Sequence, residues 1–302
     1  KYQLISRLYG LVISSVIPKF IFVIGISFLN LLNVYFNVNS PEITLAIIGV
    51  LFGVLPFLLI VYGIFITLYR FQIKEVELHF KNLPPVFNGL RIVQISDLHL
   101  GSFNYQYSIL ENAFRQINEL EPELLLFTGD MVNNFASETK GWEELFSSLK
   151  ANIGKFSILG NHDYSDYMPW DSEIEKAQNL VDLKNFHKRV GFQLLLNENV
   201  EIVKQGEIIR IIGVENWGKG GFAKYGDLEK ALESTVPSEF QMLLSHDPSH
   251  WDLKVVPESN VNLTFSGHTH GMQFGINLGK FKYSPVQHKY PRWMGLYKEK
   301  DQ

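Results

Sequence analysis

The chain has 302 residues, a net charge of -4 and no cysteine. That length holds one large domain or two modest ones, and the charge supplies no basic field, so no nucleic-acid partner is expected. The lack of cysteine excludes disulfide scaffolds, thiolate zinc sites and thiol catalysis. The chain begins at Lys1 without a methionine, and a fragment of a longer protein is expected.

Two apolar stretches come first: about Leu8 to Phe36, interrupted by Pro18-Lys19, and Ile43 to Tyr69, which contains no charged residue. About 20 apolar residues cross a bilayer, so two transmembrane helices are predicted, at about 11–36 and 43–69, within a membrane region 1–72. A cleaved signal peptide fits poorly, because no small-residue cleavage site is evident and a second stretch follows. Lys1, Arg7 and Lys19 lie at the start of the first span, Arg70, Lys74 and Lys81 follow the second, and the connector Asn37 to Glu42 has no basic residue. The positive-inside rule then puts the connector outside and the residues after 70 in the cytoplasm.

From residue 73 to 302 the texture is that of a soluble α/β domain. Ile73–Phe80 alternates as a half-buried strand does. Strands are predicted at Leu90–Ser96, Leu124–Thr128 and Lys155–Leu159, with helices at Tyr107–Leu120 and Trp142–Leu149 between them, the βαβ pattern. Further strands are expected at Phe192–Leu196, Val200–Lys204, Glu207–Val214, Phe240–Leu244 and Val261–Phe265, with a hairpin at Gln205-Gly206 and a short helix at Leu228–Glu233.

Polar clusters follow directly on five of these strands: Asp97-Leu98-His99, Gly129-Asp130, Gly160-Asn161-His162-Asp163, Ser245-His246-Asp247 and Gly267-His268-Thr269-His270. Open α/β sheets gather their sites at the carboxyl ends of strands. The clusters hold five of the chain's nine histidines, together with carboxylate and amide oxygens. This is the ligand set that Mn, Fe or Zn prefers. Asp97 and His99, two residues apart in an extended segment, would project to one side and hold one metal. Asp130 can bridge two metals, Asn161, His246 and His268 can serve the second, and His270 can return to the first. Two metals polarise a phosphoryl group and generate hydroxide near neutral pH.

In order and residue type the five clusters resemble the calcineurin-like metallophosphoesterases, from about Ile73 to the end of the chain. The resemblance implies a four-layer α/β/β/α sandwich, here preceded by transmembrane helices, and a dinuclear divalent centre, with Mn the first expectation and Fe or Zn the others. It implies Asp97, His99, Asp130 and His270 on one metal and Asp130, Asn161, His246 and His268 on the other. It also implies that His162 assists the leaving group, with Asp163 orienting it; a purely hydrogen-bonding His162 is the plainer reading. The segment Gly267-His-Thr-His-Gly-Met-Gln273 is similar to the membrane-attached bacterial branch of the family, with Met272 in place of a glycine. The customary further glycine-rich turn and terminal strand are not evident, so the carboxyl end is expected to be incomplete.

The implied function is that of a membrane-anchored phosphoesterase cleaving a phosphoester or pyrophosphate bond by metal-activated hydroxide. Its partners would be a phosphorylated small molecule or a lipid-linked substrate, and the membrane itself, the cytoplasmic membrane of a bacterium. A narrower alternative is hydrolysis of UDP-diacylglucosamine. A non-catalytic scaffold is a third, and it is disfavoured because none of the seven ligand positions is lost. Trp170, Trp217, Trp251 and Trp293 either line a cleft or close the core under the loops. Lys224, Lys289 and Arg292 are candidate phosphate partners that the sequence does not rank. His79, His187, His250 and His288 match no motif and read as surface or packing residues.

Overall fold

Both apolar stretches are helical: α1 spans Tyr2–Tyr35 and α2 spans Glu42–Phe65. The structure is a computed structural model and describes residues 2–37, 41–65, 70–103, 107–271, 276–278, 281–300 and 302. The chain divides into two compact units, Lys1–Val76 and Glu77–Gln302. In the first unit Ser14–Tyr35 and Ile43–Gly63, of 22 and 21 residues, are long and apolar enough to cross a membrane, and 6% of each is buried. α1 continues through Pro18, so the expected interruption there is not one. A membrane helix tolerates proline where neighbouring groups satisfy the freed carbonyl. Lys19 Nζ donates to Ser15 Oγ at 2.9 Å. The two helices pack closely where Gly25 meets α2, since a Cβ there would lie 2.8 Å from Phe52 Cγ. Positions 66–69, the end of the second predicted span, lie outside the described residues.

In the second unit, β1 (Ile92–Ile95), β2 (Leu124–Phe127), β3 (Gly154–Ser157) and β4 (Gln193–Leu194) form one parallel sheet in sequential order. A second sheet orders β5 (Glu198–Lys204), β6 (Glu207–Gly213), β7 (Phe240–Leu244) and β8 (Leu263–Phe265). There β5 and β6 make the expected antiparallel hairpin, and β6, β7 and β8 run parallel.

The two-residue period of a strand decides the layers. Leu125 and Phe127 pack under α3 (Ser108–Glu119), α4 (Glu143–Ser147) and α5 (Glu173–Arg189), through Phe114, Phe146 and Phe186. Leu124 and Leu126 face the other way and meet Ile209, Ile211, Phe240, Met242 and Leu244 of the second sheet. On that sheet's far face Ile212 and Leu243 pack against Leu228 and Ala231 of α6 (Leu228–Ala231), and against Trp251 and Val255. The result is the α/β/β/α order, with one apolar core between the sheets and another under each outer helical layer.

Three elements depart from the sequence reading. Ile73–Phe80 joins no sheet: among the described residues no strand pairs with it, and most of its side chains are exposed. Alternation makes an apolar face, but a strand also needs partners for its N–H and C=O groups. α5 was not anticipated, because only Leu183, Phe186 and His187 of its 17 residues are buried and the apolar stripe is faint. Its start signal was legible: Ser172 Oγ accepts from the Glu175 N–H at 3.2 Å, in a Ser-x-x-Glu pattern. Near the carboxyl end β9 (Ile276–Leu278) and β10 (Phe281–Tyr283) pair antiparallel, a hairpin the sequence did not suggest. Met272 and Gln273 lie outside the described residues.

The sandwich makes a prediction about its central hairpin. Ile209 is fully buried between the sheets, whereas Val203 is 61% exposed on the adjacent strand. Ile209→Ala should cost about 2–5 kcal/mol in urea unfolding, and Val203→Ala about 0.5 kcal/mol or less. Equal costs would contradict the layer assignment.

Candidate metal centre

Each candidate ligand stands just past a strand end, on a turn pinned to its neighbours. The Asp97 N–H donates to Gly129 O at 2.9 Å and the His99 N–H to Asp130 O at 3.1 Å, tying the loop after β1 to the loop after β2. Across the sandwich, the Gly267 N–H donates to His246 O at 3.0 Å. The Gln94 side-chain amide donates to Ser266 O at 2.9 Å, joining the two sheets at this rim. The His268 N–H lies 2.9 and 3.0 Å from the two Asp97 carboxylate oxygens.

The backbone at these positions is not extended. Asp97, His99, Asp130, His268 and His270 have φ of 54, 47, 58, 69 and 53°. Left-handed conformations cost a non-glycine residue about 1 kcal/mol or more and gather at functional sites. Side chains two apart therefore converge through tight left-handed turns, not through strand alternation as expected for Asp97 and His99. Gly160 is a matching close approach: a Cβ there would lie 2.7 Å from Asp130 N and from His246 Cε1.

Two groups of donor atoms result. Ligand atoms of Asp97, His99, Asp130 and His270 lie within 4.8 Å of one another, as do those of Asp130, His246 and His268. In the first group His99 Nε2 is 3.1 Å from His270 Nε2 and 3.6 Å from Asp130 Oδ2. His270 Nε2 is 3.6 Å from Asp97 Oδ1. In the second, Asn161 Oδ1 lies 3.2 Å from His246 Nε2 and 2.7 Å from His268 Nδ1. Asp130 Oδ2 belongs to both groups, 3.2 Å from His246 Nε2. The sequence placed all seven residues at one rim, and the structure brings them together there.

Tautomers follow from the outer partners. His246 Nδ1 is 2.7 Å from Thr128 O, which can only accept, so Nδ1 carries a proton and Nε2 faces Asp130 and Asn161. Burial weakens the charged form of His246, yet the Asp130 carboxylate more than offsets this and pushes its pKa up to about 10. Burial likewise opposes the Asp130 anion, but His246 holds its carboxyl well below the usual range. Burial lowers His99 and His268 to about 4, which keeps both imidazoles neutral at pH 7 and ready to donate a lone pair. The residues fit a cation: acceptor atoms converge at both places, and the field around Asp130 favours positive charge. Carboxylate, amide oxygen and imidazole suit a borderline divalent ion.

His162 and Asp163 have different partners from those expected. His162 Nδ1 donates to Asn133 O at 2.8 Å, and its ring meets His99 edge-on at 4.8 Å between centroids. Asp163 does not orient that ring. Its buried carboxylate accepts the backbone N–H groups of Asp130, Met131, Val132 and Gly160, at 2.9, 2.8, 3.2 and 2.9 Å. Burial and the nearby Asp130 charge raise Asp163 to about 7. Asp163 thus shapes the turn that presents Asp130.

Three aromatic residues at the rim went unnoticed in the sequence. Tyr290 Oη is 2.7 Å from His268 Nε2, Tyr167 Oη accepts from Asn161 Nδ2 at 2.9 Å, and Phe222 meets the His268 ring at 5.2 Å. They are single aromatics in loops, and no local pattern marks them. The tryptophans resolve toward packing: Trp217 stacks on buried His250 at 4.6 Å, Trp251 and Trp293 are buried, and Trp170 meets Phe135. His187 and His250 are buried packing residues, and His79 and His288 are exposed.

Fold and site together define an α/β/β/α sandwich with a candidate dinuclear metal centre at one rim. The chain belongs to the calcineurin-like phosphoesterase family, whose match covers residues 90–272. It is similar to a bovine transmembrane protein with metallophosphoesterase domain, 30% identical over 74% of this chain and 49% of that protein. It is also similar to the UDP-2,3-diacylglucosamine pyrophosphatase LpxG of Chlamydia trachomatis, 32% identical over 66% of this chain and 70% of that protein. A third relative is the metallophosphoesterase YkuE of Bacillus subtilis, 31% identical over 68% of this chain and 65% of that protein. The chain thus spans about half the length of the bovine relative it matches.

The Asp163 cradle is testable. Asp163→Asn turns an amide N–H₂ toward backbone donors, and each donor left unsatisfied costs about 1–3 kcal/mol. The variant should melt lower and bind manganese more weakly by calorimetry, although Asp163 itself is no candidate ligand. Unchanged stability and affinity would remove its positioning role.

Proposed function

We propose that this chain is a membrane-tethered phosphoesterase that hydrolyses a phosphoester or pyrophosphate bond at a dinuclear divalent centre. The observation that carries the proposal is the pair of donor groups sharing Asp130, with His162 beside them and outside both. Asp97, His99, Asp130 and His270 would hold one ion, and Asp130, Asn161, His246 and His268 the other. Bound there, such ions polarise phosphoryl oxygens and lower the pKa of water. Manganese is the first candidate, with iron and zinc suiting the same donors.

The protein's own residues supply orientation and proton control. Thr128 O fixes His246, Tyr290 Oη fixes His268, and Tyr167 Oη takes one N–H of Asn161, turning its Oδ1 inward. His162 is held through Nδ1 by Asn133 O, which leaves Nε2 to move a proton. In hydrolysis the water oxygen bonds to phosphorus and the ester or bridging P–O bond breaks. Its electron pair leaves with the departing oxygen, which takes the Nε2 proton of the His162 imidazolium, and the water's surplus proton then returns to Nε2.

Hydrolysis of UDP-2,3-diacylglucosamine is the narrower reading, supported by the likeness to the chlamydial pyrophosphatase. Anchoring is supported by the two apolar helices and by the transmembrane relative. The basic residues flanking those helices favour a cytoplasmic catalytic unit.

Two experiments test the proposal. His162→Ala should keep its bound metal and lose about 10²–10⁴-fold in turnover of a chromogenic phosphodiester, whereas Asp130→Ala should lose both metal and turnover. Wild-type rates in either variant would defeat the assignment. For orientation, the chain has no native cysteine, so Ser40→Cys should react with an impermeant maleimide added outside intact cells, and Lys298→Cys should not. The reverse pattern would invert the topology.

A further inference from the structure

Of the three cations that the sequence left unranked, the structure separates one. Arg292 is neutralised, with Nε 3.2 Å from Asp252 and Nη2 3.4 Å from Glu299. Lys224 lies 4.9 Å above Trp217, whose other neighbour is His250, outside the metal groups. Lys289 is placed otherwise. Its Nζ sits 4.8 Å above Phe222 and 5.4 Å above Tyr290. Those two rings meet the His268 ring edge-on, at 5.2 and 5.0 Å. Among the described residues no carboxylate pairs with Lys289.

The ammonium is therefore steadied by two ring faces and stands one ring away from a candidate ligand of the second ion. The wall continues from Phe222 to Tyr167, 6.1 Å between centroids, and on to His162 at 5.1 Å. A substrate with a single phosphate would spend its charge at the metal centre and leave this ammonium without a partner. A second phosphate, bonded to the first through a bridging oxygen, would meet it.

We propose that Lys289, held over Phe222 and Tyr290, seats the phosphate that is not attacked, so that the substrate class is a diphosphate diester. This rests on the phosphoesterase reading above and extends it to the substrate. In the reaction water's oxygen bonds to one phosphorus and the P–O–P bridge breaks on that side. The electron pair leaves on the second phosphate, beside Lys289, and two phosphate monoesters result. A lysine recognises such a group as a point charge, without bidentate geometry, so arginine should substitute for it and glutamine should not.

The test compares wild type, Lys289→Gln and Lys289→Arg in the full chain with manganese. One substrate is bis(p-nitrophenyl) phosphate, with one phosphate, and the other a nucleoside diphosphate sugar, with two. Lys289→Gln should lower kcat/KM for the diphosphate about tenfold more than for the single phosphate, mainly through KM, and Lys289→Arg should recover most of that difference. Calorimetry with a non-hydrolysable methylene-bridged nucleoside diphosphate sugar should show about tenfold weaker binding by Lys289→Gln. Equal losses on both substrates, or unaltered binding of the bridged analogue, would overturn the proposal. If wild type turns over neither substrate, the phosphoesterase reading fails, and calorimetry still decides whether Lys289 holds a second phosphate.

Discussion

One buried carboxylate holds the metal-centre loops in place. Asp163 takes four backbone N–H groups from two separate turns, those after β2 and β3. Peptide N–H groups buried without partners would each cost as much as a lost hydrogen bond, so the carboxylate fixes both turns at once. The left-handed Asp130 and Gly160, where a Cβ would not fit, both lie within this cradle. From there the constraint crosses the sandwich: His246 reaches back to Thr128 O, and the Asp97 carboxylate accepts the His268 N–H. Two sheets with separate hydrogen-bond ladders are locked at one rim.

The locked rim is electrostatically one-sided. Its converging atoms are acceptors, and the Asp130 carboxylate pushes the pKa of His246 up, the direction expected where positive charge is favoured. A divalent ion placed between such donors displaces protons and relieves the repulsion among oxygens and lone pairs. Left-handed backbone at non-glycine residues of this kind gathers at functional sites. His162 lies next to this region, with its Nδ1 donating to Asn133 O and its ring edge-on to His99.

Around that centre the rim is aromatic and, at Lys289, cationic. Phe222, Tyr167 and Tyr290 position ligands on their inner side and offer ring surface on their outer side. The amino-terminal unit is separate: its two helices are long and apolar enough to cross a bilayer.

The candidate ligands were legible in the sequence because each follows a strand whose apolar run ends abruptly: Asp97 after Ile92–Ile95, His246 after Phe240–Leu244, His268 after Leu263–Phe265. The two apolar helices were legible for the same reason, a long apolar run being a one-dimensional signal. α5 hid because few of its residues are buried, and Ile73–Phe80 misled because alternation says nothing about a pairing partner. The role of Asp163, the left-handed ligands and the Lys289–Phe222–Tyr290 group were decided by tertiary structure alone. They depend on which backbone donors, ring faces and charges from distant segments come within a few ångströms, and residue type and spacing do not encode that.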